Sequence, residues 1–165
     1  MENSLILHAL VSWKILSYFI VFIGMMIEGD FILFAAAFLT RQGFFNLGIM
    51  SVIIFAGVVL GDLIWYELGF KINKWPKIPY LSLKLNHLIN DIDYHIAAKP
   101  FFVILISKFT YGFHHIVLAR VGAKKMPMKK FMFIEFLSAI IWMIVVGGLG
   151  YIAQASFAAF KHYLR

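Results

Sequence analysis

Three observations predict an all-α integral membrane protein. Of 165 residues, 62% are hydrophobic and only 14% charged, with a mean hydropathy of +0.88; a soluble domain of this size needs far more charge on its surface. The apolar residues form long unbroken runs, which suit helices crossing the hydrocarbon in about 20 residues rather than barrel strands of about 10 alternating residues. Two of those runs are interrupted by charge and glycine, the pattern of broken helices that meet at a midplane site. The expected architecture is a single membrane domain over residues 1–165, built from two inverted repeats. Each repeat is a re-entrant helical hairpin followed by a transmembrane helix, with an interfacial helix at the N-terminus.

Residues 1–13 space Leu5, Ile6, Leu7, Leu10, Val11 and Trp13 as a short helix lying at the interface. Repeat one spans about residues 15–70: an apolar run at 15–39 broken by Glu28, Gly29 and Asp30, then a second at 44–70. A polar stretch, 71–99, carries five lysines, Pro76 and Pro79, and separates the halves. Repeat two spans about 100–160 and follows the same layout, with Lys108, His114 and His115 inside its broken segment at 100–122 and a longer apolar run at 131–160. If the two broken segments are re-entrant, Lys14, Arg41, Lys161 and Arg165 lie on one face and ten other Lys and Arg residues lie on the opposite one, leaving Lys108 inside. The positive-inside rule then places the 71–99 loop and the 120–130 turn in the cytoplasm.

The net charge of +7 sits in loops flanking apolar runs, where topology and anionic headgroups account for it, so no nucleic-acid partner is expected. Absence of cysteine excludes disulfides and thiolate metal sites. No Ser-His-Asp order, metal-ligand spacing or phosphate-cradling glycine loop is present in the sequence, so neither an enzyme nor a cofactor is expected.

The candidate residues are charges where a bilayer resists them. A cation at the bilayer centre costs roughly 2.5 to 3.5 kcal/mol on insertion scales, so it persists only facing a partner, a cavity or water. Glu28, Asp30, Asp62 and Glu135 are candidate proton carriers, because a partly desolvated carboxylate takes up a proton more readily. Glu135 is also expected to face the bundle and pair with Lys108. Lys108 with His114 or Arg120 offers a phosphate site, His115 is a further lipid-binding candidate beside them, and Arg120 at the segment edge has an alternative as a snorkelling residue. Adjacent His114 and His115 point different ways on a helix, which argues against a metal pair. Gly57 and Gly61 form a small-xxx-small pair for close helix packing, and Gly112 offers a place to bend. Glu67 and Lys71 are spaced as an interfacial ion pair.

These residues resemble the DedA family, also called the SNARE-associated or VTT-domain family, of bacterial membrane proteins. Ile27-Glu28-Gly29-Asp30, Ala35 to Leu39, Gln42-Gly43 and Gly61-Asp62 with Tyr66 and Gly69 follow its acidic-hairpin pattern. Ser107-Lys108-Phe109-Thr110-Tyr111-Gly112-Phe113-His114 is similar to its arginine-phenylalanine-x-proline-glycine-x-arginine motif, and Phe131, Ser138, Trp142, Gly150 and Tyr151 continue the likeness. The resemblance implies two hairpins meeting in the bacterial cytoplasmic membrane. It also implies proton-coupled transport or flipping of lipids, including undecaprenyl phosphate and phospholipids. Its acids map to Glu28 and Asp30, with Asp62 a further candidate, and its basic pair to Lys108 and His114. The chain departs from the motif at Lys108 and His114, where arginines are common, at Tyr111 in place of proline, and at Glu135 in place of asparagine. A histidine at 114 can titrate between pH 5 and 8, which a guanidinium cannot. The alternative to transport is a non-transporting scaffold or membrane-homeostasis factor held by a structural ion pair, and the oligomeric state, a homodimer included, is left open.

Overall fold

The computed structural model describes residues 2–72 and 93–163, with side chains from 13–71 and 93–157. All regular structure among them is helical: α1 (Glu2–Ile27), α2 (Gly29–Arg41), α3 (Leu47–Ile72), α4 (residues 93–98), α5 (Pro100–Lys108), α6 (His114–Ala123) and α7 (Met128–Tyr163). Residues 2–13 run into α1 without a break, so the expected separate N-terminal helix is instead the opening of a longer one. Most of the 71–99 loop lies outside the described residues, and its last part is the helical α4.

Leu47–Lys71 and Met128–Phe157 are long and apolar enough to cross a membrane, with mean hydropathies of 2.4 and 2.2. Only 33% and 28% of their most apolar stretches are buried, the reverse of a core helix in a soluble protein. Val52 and Phe133 are 69% and 72% exposed, a display of bare apolar surface that water does not tolerate but lipid does.

Both charge-interrupted segments are helix–break–helix pairs whose members pack together, α1 on α2 and α5 on α6. In the first, Glu28 takes an extended conformation (φ −146°, ψ 96°) between the two helices. In the second, residues 109–113 form the turn, with Gly112 in the left-handed region at φ 72°. The two second helices end alike. At the end of α2, Gly43 N–H bonds to Thr40 O and Phe44 N–H to Leu39 O; at the end of α6, Lys125 N–H bonds to Gly122 O and Met126 N–H to Val121 O. Both are Schellman caps with a left-handed residue at the same place, Gly43 (φ 86°) in one and Lys125 (φ 55°) in the other.

Packing divides the chain into two compact units, Met1–Val58 with Met143–Arg165, and Val59–Trp142. In the first, Gly57 admits Met25, whose Cβ lies 2.8 Å from where a Gly57 Cβ would be, and Gly150 seats the Phe34 carbonyl at 2.5 Å by the same measure. Arg41 lies over the Tyr151 ring, 4.4 Å from its centroid. In the second, Tyr66, Ile104, Val117, Leu118, Val121 and Phe131 form the core, and Tyr66 stacks on Phe131 with centroids 4.3 Å apart. Tyr66 Oη donates to the Met126 carbonyl at 2.5 Å, which ties α3 to the turn before α7. Gly69 and Gly122 lie against the backbone of Ala119 and Tyr66, leaving no room for a Cβ at either. Close approach of α3 and α6 follows from those two glycines.

Candidate functional site

The second unit contains a buried charged cluster to which α3, α5, α6 and α7 each contribute. Asp62 on α3 and Glu135 on α7 are 3% and 0% exposed. Lys108, at the C-terminal end of α5, bridges them: its Nζ lies 2.5 Å from Asp62 Oδ2 and 2.7 Å from Glu135 Oε1. The Glu135 contact has ion-pair distance without hydrogen-bond alignment, so both Glu135 oxygens are enclosed without a hydrogen bond. Lys108 Nζ also faces the Trp142 ring, 5.8 Å from its centroid, within cation–π range.

His114 opens α6 and enters the same cluster. Its Nε2 lies 3.1 Å from Asp62 Oδ2 and 3.2 Å from Lys108 Nζ, and its Nδ1 lies 2.8 Å from Ser107 Oγ. Ser107 gives its hydroxyl proton to the Ile104 carbonyl at 2.8 Å, so His114 Nδ1–H is the donor to Ser107 Oγ. Nε2 then accepts from Lys108 or, once protonated, donates to Asp62. That polarity is opposite to a serine nucleophile activated by a histidine base, although hydroxyl, imidazole and carboxylate are all in contact.

Charge balance defines what this cluster can do. With Asp62, Glu135 and Lys108 ionised it carries one surplus negative charge in a water-poor setting, and one proton on His114 or a carboxylate neutralises it. Chemically, such a cluster can accept one proton. One ligand atom each from Asp62, His114 and Glu135 lies within 4.8 Å of the others, spacing that would suit a cation, and the Lys108 ammonium fills that role.

The structure therefore gathers Asp62, Lys108, His114 and Glu135. Arg120 and His115 make other contacts. Arg120 forks onto Asp93 of α4, with Nε and Nη2 each 2.6 Å from a carboxylate oxygen, and Lys124 joins the same carboxylate at 2.7 Å. His115 stacks on Trp65 at 4.9 Å. Glu67 and Lys71 lie 4.0 Å apart as spaced in the sequence, the lysine exposed and the glutamate half-buried. In the first unit, Glu28 stands at the N-cap of α2 without a side-chain cap bond, and its Oε1 is enclosed with no hydrogen-bond partner. Asp30 lies in the first turn of α2, where the helix N-terminus favours an anion. Gly61 is buried within α3.

Sequence reasoning missed Ser107 and Asp93. Ser107 is one of many hydroxyls and acquires meaning only from the turn that folds His114 back seven residues later. Asp93 lies in a polar stretch where an acid draws no notice.

The VTT domain family model matches residues 27–152. The inner membrane protein YohD of Escherichia coli (strain K12) is 24% identical over 142 residues, which cover 86% of this chain and 73% of that protein. No solved structure matches the chain.

Proposed function

Because this chain belongs to the VTT-domain (DedA) family of membrane proteins, we propose that it moves a phosphate-bearing lipid, a polyprenyl phosphate or a phospholipid, across the bacterial cytoplasmic membrane using the proton gradient. One observation carries the reading: a single buried lysine is shared by two buried carboxylates and a histidine. An odd proton count in the membrane is expensive unless it is used. In this reading Asp62, Glu135 and His114 exchange the proton, Lys108 holds them in register, and Glu28 and Asp30 serve the other broken segment. The matching Schellman caps of α2 and α6 support two re-entrant repeats of one plan. A lipid phosphate would have to compete with Asp62 or Glu135 for Lys108, and a proton taken up by either carboxylate weakens that competitor, so proton binding and headgroup binding favour each other there, which is one way to couple them.

The same saturation of Lys108 favours a second reading, a non-transporting scaffold whose cluster is structural. Reconstitution with labelled polyprenyl phosphate or phospholipid separates the two. Wild type should move lipid, while Lys108→Ala and Glu28→Gln should not. A neutral set, Asp62→Asn with Lys108→Met and Glu135→Gln, should then fold but transport nothing. A scaffold predicts no lipid movement by wild type and a neutral set that supports the cell as wild type does.

A further inference from the structure

Along α5 runs an elongated cavity of about 590 Å³ that none of the charged residues above requires. Its walls are apolar, from Phe102, Val103 and Ile106 on α5 to Phe113 and Val117 beyond the turn. The α5 residues recur at three- and four-residue spacing and so form one stripe along the helix. Polarity is confined to the two ends. Lys99 and His95 mark one, and Ser107 with Thr110 the other. The volume lies in the range of sites that bury a small ligand, and the lining is the mostly apolar kind with a few placed polar groups.

Among the described residues, the charge around it is one-sided. Lys99 is exposed at the head of α5, and Arg120 and Lys124, at the open end of the same helix pair, share the single carboxylate of Asp93. Among the described residues, one acid for two cations leaves a positive surplus beside an exposed lysine, which complements an anion and not a second cationic surface. At the inner end Ser107 belongs both to the cavity wall and, through His114, to the charged cluster. An occupant of the groove thus lies one hydrogen bond from the proton site.

We propose that this groove holds one hydrocarbon chain of an anionic lipid, its phosphate at the Lys99 end and its chain running along α5 toward Ser107. The inference rests on the transport reading, deepens it by giving the lipid a bound position outside the Lys108 cluster, and can be tested without transport. Native mass spectrometry of the full-length protein, released from detergent with phosphatidylglycerol or phosphatidylcholine, counts the retained lipid. Wild type retains one phosphatidylglycerol in preference to phosphatidylcholine. Ile106→Trp fills the groove from a position 62% exposed and loses that lipid, whereas Ile116→Trp, equally bare at 59% and outside the groove, keeps it. Lys99→Ala weakens phosphatidylglycerol retention about fivefold, the effect of one cation beside an anionic lipid, and leaves phosphatidylcholine unchanged. Equal retention by the two tryptophan variants overturns the proposal, as does a Lys99→Ala variant that loses both lipids alike. A wild type that retains phosphatidylglycerol as described but moves no lipid in vesicles overturns transport and leaves the groove assignment standing.

Discussion

Lys108 shows how far one residue's surroundings decide its consequence. Removing its ammonium strands two carboxylates that have no water to turn to. Lys108→Ala is expected to cost about 3 to 5 kcal/mol, the penalty for breaking a buried pair. Glu135→Gln should cost less, since Lys108 keeps Asp62 at 2.5 Å. Thermal unfolding in detergent checks the order, and a Lys108→Ala protein as stable as wild type would show that the cluster is wet or rearranged. Outside the two apolar spans, Asp93 gives a pH test. Burial raises its carboxyl pKa, but the hydrogen bonds and charges of Arg120 and Lys124 outweigh burial and hold it below its ordinary value. A carboxyl depressed in the folded state contributes stability that is full above the unfolded value near pH 4 and is lost as pH falls through the folded one. Asp93→Asn should therefore melt lower than wild type at pH 7, with the gap closing below about pH 4. A gap that widens on acidification contradicts this. The sequence revealed the charges and the Lys108–Glu135 pairing, because charged residues in apolar runs announce themselves; the bond from His114 to Ser107 depends on a turn geometry that periodicity does not record.

At the level of elements, caps and crossings matter more than propensity. Lys125 holds the left-handed position that Gly43 holds in the other helix pair, and a side chain there costs roughly 1 to 2 kcal/mol. Lys125→Gly is expected to stabilise the protein by about 0.5 to 1 kcal/mol, reduced by the flexibility glycine adds to the unfolded chain. A lower melting temperature for Lys125→Gly would mean that its side chain makes a contact worth more than the strain. Gly69→Ala and Gly122→Ala should each push α3 and α6 apart and cost about 1 to 3 kcal/mol or more, whereas Gly148→Ala, with nothing within 4 Å of its added Cβ, should be neutral. Equal losses at all three would remove the steric account. Helix existence was legible, since long apolar runs leave little choice, and so were the breaks at Glu28 and near Gly112. The separation of residues 1–13 from α1 was not: Lys14 reads as a boundary in the sequence, but a lysine is a good helix former and the backbone passes through it.

For the whole molecule, membrane residence follows from composition and from apolar side chains that face outward along α3 and α7. Transport is a statement about what the buried cluster does over time. Its direct measurement is lipid movement in vesicles containing the reconstituted protein, with a labelled phosphate-bearing lipid followed with and without an imposed pH gradient, for wild type and Glu135→Gln. The gradient should accelerate wild-type movement in one direction, and Glu135→Gln, lacking one of the groups that trade the proton, should be slow and indifferent to it. Wild-type movement that ignores the gradient, or a Glu135→Gln variant that responds as wild type does, would contradict the assignment of the Asp62–Lys108–Glu135 cluster to proton coupling.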